Sequence, residues 1–197
     1  MTSGVRPYRE VRAHHDDAAV TVYQAYAPAL ADAAVAAGTF VAPFKRERMT
    51  WIKPSFLWMM YRAGWGTKPG QERILAVRIT RAGFDRALAS ASLSHYEADV
   101  HGTHEAWLRA KQASPVRVQW DPERDAYLQP LPWRAIQVGL GPAVVGEYVD
   151  DWIVGIDDVT DLARRVHQGD LAGVPEERPY PVAPDVATRL GMAATGV

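Results

Sequence analysis

Apolar and polar positions divide the chain into a series of short strands. The segment VTVYQAY, residues 20–26, is β-branched and aromatic with rough alternation, which predicts a strand. RILAVRIT, residues 73–80, alternates more regularly and is the best strand candidate in the chain. Two further strands are predicted at residues 116–120 and 135–140.

Helical patterns lie between these strands. Pro28 is tolerated in a first helical turn, so residues 29–37 predict a helix that Gly38 ends. Pro54 opens a second helix that runs to about Arg62. Weaker helical patterns cover residues 84–91, 92–114, 144–156 and 157–168. Residues 39–53 are predicted to be a loop, and residues 121–125 a turn.

This order of elements predicts an α+β fold: a compact single domain with a mixed or antiparallel sheet flanked by helices. We place that domain at residues 18–168. Residues 1–17 are polar with charges of both signs, which is typical of a tether. Residues 169–197 are rich in Pro, Gly and Ala and predict a tail that is either laid on the surface or partly disordered.

Composition excludes several kinds of chemistry. Of the 197 residues none is cysteine, so the chain forms no disulfide, thiolate metal site or cysteine nucleophile. No apolar run approaches the roughly 18 residues that span a bilayer, and the N-terminus lacks the apolar stretch of a signal peptide. We therefore expect a cytoplasmic protein without a membrane partner. Its oligomeric state is left open.

One segment, residues 45–68, combines positive charge with aromatic rings, and we call it the basic–aromatic segment. It contains six basic residues and one acid, Glu47. The basic residues are Lys45, Arg46, Arg48, Lys53, Arg62 and Lys68; Trp51, Phe56, Trp58, Tyr61 and Trp65 are the aromatic ones. This combination suits a ligand with phosphates and flat rings, although the aromatic residues at helical spacing also fit a core-facing stripe.

From this segment we predict phosphate contacts by Arg48, Lys53 and Arg62, with Trp51 or Trp58 stacked on a ring. Neighbouring like charges repel unless an anion compensates them. The start of the Pro54 helix, beside Lys53 and Ser55, offers further N–H groups to an anion.

Polar side chains in the strands supply the remaining candidates. Gln24 and Gln137 interrupt apolar strands, where they either face solvent or line a cleft and recognise an amide or base edge. Glu123 is a candidate general base, with Asp121 and Asp125 beside it, although a polar turn also explains these acids.

Metal binding is the weaker explanation of two other clusters. The first is His95, His101 and His104 followed by Glu105, for which solvated histidines are the default explanation. The second is the acidic stretch at residues 150–161, where Asp157 is predicted to cap the following helix. We expect no metal cofactor.

Several strings resemble one family catalogued as domain of unknown function 4291, found in bacteria and fungi. They are VYQAY from Val22, RMTWIKPSFLWMMYRAGWGTK from Arg48, QER from Gln71, VQWDPERD from Val118 and RAIQVGL from Arg134. The resemblance covers about residues 9–168. It implies a shared fold and brings no established activity and no catalytic residues.

The order of elements is also similar to the front half of ADP-ribosyltransferase-like folds. In those folds a residue on the first strand and a Ser on the next element hold the nicotinamide half of NAD, which implies that role for Gln24 and Ser55. A catalytic Glu commonly stands on a late strand; Gln137 falls there, so Glu123 or Asp121 would have to replace that carboxylate.

Three hypotheses follow. The first is an enzyme that binds NAD or another nucleotide and transfers a group, such as ADP-ribose to a nucleic acid or small molecule. The second is a non-catalytic structural or partner-binding domain. The third is a module that binds single-stranded nucleic acid, against which the net charge of -1 counts, because such domains are usually basic.

Overall fold

The computed structural model describes residues 6–192. The strands are β1 (Arg12–Ala13), β2 (Ala19–Tyr26), β3 (Thr50–Ile52), β4 (Arg73–Thr80), β5 (Ala91–Leu93), β6 (Val116–Arg124), β7 (Pro130–Leu140), β8 (Ile153–Asp158) and β9 (Arg178–Pro179). The helices are α1 (Pro28–Ala37), α2 (Phe56–Ala63), α3 (Arg81–Ala89), α4 (Ala98–His101), α5 (His104–Ala113), α6 (Pro142–Glu147), α7 (Thr160–His167) and α8 (Pro184–Arg189). The predicted α+β class is confirmed.

The first large sheet has the antiparallel order β2-β4-β8. Val22 lies opposite Val77 on β4, and Val77 lies opposite Ile156 on β8. These three side chains belong to the main hydrophobic core. The central position of β4 explains why most of its residues are buried, including Ile74 and Ile79.

The second large sheet has the order β3-β7-β6-β5, antiparallel except for the parallel pair β5 and β6. A single isolated bridge links it to the first sheet, between Tyr23 of β2 and Lys53, which follows β3. The Tyr23 N–H donates to the Lys53 carbonyl at 2.7 Å, and the Lys53 N–H donates to the Tyr23 carbonyl at 3.3 Å. Among the described residues this bridge is the hydrogen-bonded link between the two sheets, which also pack together in the main hydrophobic core.

Helix α2 crosses the first sheet on its β2 side. Ser55 is its N-cap, and its C-cap, Gly64, adopts the left-handed conformation at φ 57°, which a glycine reaches without steric cost. Phe56, Met60 and Ala63 are fully buried in a second core cluster that includes Tyr23. The predicted core-facing stripe is confirmed at Phe56 and Met60, whereas Tyr61 is exposed. The buried residues fix the start of the helix against the sheet junction.

The described parts of both end segments pack against the domain. β1 pairs with β9, joining the segment predicted as a tether to the segment predicted as a tail. Val11, Tyr180 and Leu190 are buried in the main core. The composition of these segments hides this packing because their few apolar residues do not form a regular pattern.

Three local predictions are wrong for reasons of tertiary context. The predicted turn at 121–125 is instead the end of β6, which continues to Arg124 with an irregularity after Pro122. The helix predicted at 144–156 ends at Glu147; a π-helical turn, Tyr148–Trp152, follows, and residues 153–158 pair with β4 as β8. The predicted loop at 39–53 contains β3, whose pairing with β7 is non-local.

Candidate functional site

Two cavities lie at the junction of the sheets. The Gln24 cavity, of about 340 Å³, is lined among others by Gln24, Tyr26, Lys45, Arg48, Met49 and Gln71. The Asp121 cavity, of about 320 Å³, is lined by Trp58, Arg62, Gln119, Asp121 and Gln137. Trp51 and Lys53 line both. Because Lys53 also carries the bridge between the sheets, the two cavities share a wall at that bridge.

Lys53 places a cation inside this wall. The residue is 8% exposed, and within residues 6–192 its ammonium donates only a long hydrogen bond, 3.4 Å, to the Trp51 carbonyl. The pKa of the Lys53 ammonium is lowered to about 8, mainly by burial and also by the charge of Arg62, while Asp121 acts in the opposite direction. An anion bound in either cavity would offset both the cost of burying the ammonium and its repulsion by Arg62.

Trp51 lies opposite Gly139 of β7. Because Gly139 has no side chain, the Trp51 ring can face the cavities. A Cβ atom on Gly139 would stand 2.8 Å from the Met49 sulfur and 3.0 Å from the Trp51 ring. Gly139 therefore lets the indole lie close to the sheet, with part of its surface left open to a ligand.

Gln24 is 3% exposed and held by two phenols. Its amide nitrogen donates to the Tyr26 hydroxyl at 2.9 Å, and its amide oxygen accepts from the Tyr148 hydroxyl at 2.7 Å. Burial raises the pKa of Tyr26 and of Tyr148, so both phenols stay neutral. The side chain of Gln24 is consequently fixed at the wall of its cavity.

Asp121 is oriented by two amides. One oxygen accepts from Gln119 at 3.1 Å and the other from Gln137 at 2.5 Å. Gln119 and Gln137 face each other across β6 and β7, and Asp121 is two residues beyond Gln119 on the same face of the strand. The late-strand glutamine thus positions a carboxylate inside the cavity.

Ser55 and Glu123 lie together outside both cavities. The Ser55 hydroxyl donates to Glu123 at 2.9 Å and accepts from the Trp58 N–H at 3.1 Å. Burial raises the pKa of Glu123, against hydrogen bonds from the Arg124 N–H and from Ser55 that lower it. The geometry gives these two residues a role in fixing the start of α2.

A further carboxyl reaches the same helix start from the far end of the chain. Glu177 accepts a hydrogen bond from the Phe56 N–H at 2.8 Å. Burial raises the pKa of Glu177 to about 8, and the neighbouring Glu123 raises it as well, while the Phe56 N–H and the charges of Arg6 and Arg12 oppose the shift. Sequence reasoning missed Glu177 because no local pattern distinguishes it.

The basic–aromatic segment divides between the two cavities and the surface. Arg48 is exposed at the Gln24 cavity and Arg62 at the Asp121 cavity. Arg46 instead pairs with Asp150, with N···O distances of 2.6 and 2.8 Å. The Lys68 ammonium donates to the Arg62 carbonyl at 2.7 Å. Arg48 and Arg62 are therefore the arginines of the segment that are available to a ligand.

Trp58 is 4% exposed and stacks on Tyr61 with a centroid distance of 5.2 Å. The Arg124 guanidinium lies 3.8 Å from the centre of the Tyr61 ring. The indole N–H of Trp58 is buried and has no acceptor within residues 6–192. A buried donor without a partner is unusual in a folded protein, and this N–H is shielded from solvent by the packing around the indole.

The clusters considered for metal binding have other partners. His101 Nδ1 lies 2.9 Å from the Glu97 carbonyl, and His104 packs on Trp107. The predicted cap is wrong: the N-cap of α7 is Val159, and Asp158, not Asp157, accepts the Thr160 N–H at 2.8 Å. Over the described residues, no group of three His, Cys, Asp or Glu side chains is placed to hold a metal ion. Nor is any helix in that range long and apolar enough to cross a membrane.

Six of the residues predicted for the site line the cavities: Gln24, Arg48, Trp51, Lys53, Arg62 and Gln137. Ser55 and Glu123 do not. Polar lining residues that were not predicted include Lys45, Gln71 and Gln119. The period-2 spacing of Gln119 and Asp121 was the available signal, hidden by reading residues 121–125 as a turn.

The chain is thus an α+β protein with paired cavities where two sheets meet. The model of the family described as "Domain of unknown function (DUF4291)" matches residues 10–180, and the chain belongs to this family. No curated protein matches the chain.

Proposed function

We propose that this protein is an enzyme that binds a nucleotide, with NAD as the first candidate, and transfers a group from it to an acceptor. The observation that carries the proposal is that Trp51 and Lys53 line both cavities, so the two cavities adjoin at these residues. Two ligands, one in each cavity, would meet along Trp51 and Lys53 as donor and acceptor. The similarity of element order to ADP-ribosyltransferase-like folds favours NAD and an ADP-ribosyl group.

The Gln24 cavity suits the nucleotide. Arg48 and Lys45 supply charge for phosphates at its open side, and Lys53 supplies it at the back. The Trp51 ring offers a stacking surface for a base or nicotinamide ring. The Gln24 amide, fixed by its two tyrosines, would orient a polar edge of that ring.

The Asp121 cavity suits the acceptor. In the transfer, a hydroxyl or amine of the acceptor attacks the ribose carbon that bears nicotinamide. The glycosidic C–N bond breaks, and its electron pair leaves with nicotinamide. The proton of the acceptor passes to the Asp121 carboxylate, which Gln119 and Gln137 hold in place. Asp121 thereby takes the role that the sequence suggested for Glu123.

Calorimetry with NAD, NADP, ADP-ribose, ATP and GTP tests the binding step. We expect binding by the wild type and at least a tenfold loss in Arg48→Gln, because a charge-assisted hydrogen bond contributes about 1.5–3 kcal/mol. Arg46→Gln is the matched control, since Arg46 lines neither cavity and pairs with Asp150. Equal losses in both variants, or no binding by the wild type, would refute the proposal.

Nicotinamide release tests the transfer step. Asp121→Asn should lower the rate by about 10²–10⁴-fold, the usual contribution of a general base, without a matching loss of NAD affinity. Asp151→Asn removes an exposed carboxylate elsewhere on the surface and should leave the rate unchanged. Nucleotide binding without any turnover would favour the non-catalytic alternative. Binding of single-stranded RNA alone, weakening steeply with salt, would favour the nucleic-acid module.

A further inference from the structure

The Asp121 cavity contains more hydrogen-bond donors than its own residues satisfy. Among the described residues, the Lys53 ammonium has only the long bond to the Trp51 carbonyl. The Arg62 side chain makes no hydrogen bond or ion pair with any residue in the range 6–192. Lys53 is more than nine-tenths buried, so bulk water does not compensate its charge.

The carboxylate in the cavity does not satisfy these donors. Each Asp121 oxygen accepts one hydrogen bond, from Gln119 or from Gln137, and no ion pair joins Asp121 to Lys53 or Arg62 within the described residues. Two cations therefore face one anion across this cavity. A further anionic ligand would balance the charge and accept from the unpaired donors.

We infer that the Asp121 cavity is a subsite for a phosphate monoester group on the acceptor. Its designation as an acceptor site depends on the proposed function; the phosphate chemistry does not. A monoester has three unesterified oxygens and carries up to two negative charges, which suits the two cations Lys53 and Arg62. A diester has two such oxygens and one charge, so it would pair less completely with the two cations. The adjoining Asp121 carboxylate would accept from a hydroxyl on the same molecule.

The size of the cavity limits what accompanies the phosphate. About 320 Å³ is at the lower end of the range for ligand pockets. A phosphate group with one sugar ring fits this volume. The rest of a longer ligand would extend out of the cavity beside the exposed Arg62. The phosphate can therefore belong to a small phosphorylated sugar or to the end of an oligonucleotide.

Calorimetry on the full chain tests the subsite with phenyl phosphate and dimethyl phosphate as monoester and diester probes. The wild type should bind the monoester at least tenfold more tightly. Arg62→Gln should weaken monoester binding about tenfold or more. Arg46→Gln should stay within twofold. Equal affinity for the two probes, or equal effects of the two arginine variants, overturns the inference.

Ribose 5-phosphate and a 5′-phosphorylated oligonucleotide, each beside its unphosphorylated form, identify the source of the phosphate. Tighter binding of ribose 5-phosphate than of ribose supports the subsite, and so does tighter binding of the oligonucleotide that carries the 5′-phosphate. A nucleotide titration in the presence of phenyl phosphate separates this inference from the proposed function. Competition between the two ligands would show one shared site and overturn the inference while the proposed function stands. Monoester binding without nucleotide binding would support the subsite and refute the proposed function.

Discussion

Glu177 accepts the Phe56 N–H at 2.8 Å, so a carboxyl more than 100 residues away in sequence satisfies the first backbone donor of α2. Acceptors are favoured at this position because the first N–H groups of a helix have no partners within it. At the same helix start, the Ser55 hydroxyl accepts from the backbone N–H of Trp58 and donates to Glu123. The rear of both cavities therefore rests on contacts from three separate parts of the chain.

The buried Glu177 should make stability depend on pH. Its pKa in the fold, about 8, lies above its ordinary value of 4.5, so its contribution is fully present below pH 4.5 and is lost as the pH rises towards 8. The shift corresponds to on the order of 2–4 kcal/mol between pH 5 and 8. Urea unfolding should show that the free energy of unfolding of Glu177→Gln, relative to that of the wild type, increases over this pH range. The control Glu176→Gln, at the exposed neighbour, should differ from the wild type by the same free energy at every pH. A constant difference for Glu177→Gln would contradict the assignment.

Ser55→Ala should destabilise the protein by about 2–3 kcal/mol, because it removes both the N-cap acceptor and a donor to the buried Glu123. Thr103 caps α5 through its side chain without a buried acid, so Thr103→Ala should cost only about 1 kcal/mol. Chemical denaturation of both variants at pH 7 measures the difference. Similar losses would mean that the Ser55–Glu123 hydrogen bond contributes little.

Lys53→Met should stabilise the unligated protein and weaken its ligand binding. The pKa of Lys53 in the fold, about 8, lies below its ordinary 10.5, so the cost of burying the charge is full below pH 8 and fades as the pH rises to 10.5. We expect a gain on the order of 2–3 kcal/mol at pH 7, shrinking at higher pH. Thermal unfolding measures the gain, and calorimetry the loss of affinity.

Lys68→Met is the control for that experiment. Lys68 is exposed in the same segment and lines neither cavity, so its replacement should change stability by less than about 0.5 kcal/mol. A Lys53→Met variant less stable than the wild type at pH 7 would show that the ammonium has partners within the fold.

Gly139→Ala should disturb the Trp51 ring. The added Cβ would lie within 3.0 Å of both Met49 and the indole, so the ring must move and nucleotide affinity should fall. The expected cost in stability is about 1–3 kcal/mol. Gly155→Ala, on β8, meets no atom within 4 Å and should leave affinity unchanged. Unchanged nucleotide affinity in Gly139→Ala would exclude Trp51 from the binding surface.

Elements with strong local signals were predicted within a residue or two. The strands at β2 and β4 follow their β-branched alternation, and α1 follows its proline start and Gly38 stop. β3 was not predicted, because three residues carry no reliable period. β8 was not predicted either, since its helical pattern is overruled by pairing with β4.

The same distinction applies to the candidate site. Charge and aromatic content were enough to select Arg48, Trp51 and Lys53, because these signals are local. The division into two cavities depends on the bridge between Tyr23 and Lys53, which no local pattern reveals. The choice of Asp121 over Glu123 likewise depends on which acid of β6 faces the cavity.

The hydrogen bond from Phe56 to Glu177 also has a consequence for synthesis. A ribosome makes α2 long before it makes Glu177, so the nascent helix begins without that acceptor. The pairing of β1 with β9 must likewise wait until the second strand has left the ribosome. A chain released before residue 177 would contain every residue that lines the two cavities and would still lack the carboxyl that closes the helix behind them. Ligand binding should therefore be acquired only after residue 177 has been made and has reached the start of α2.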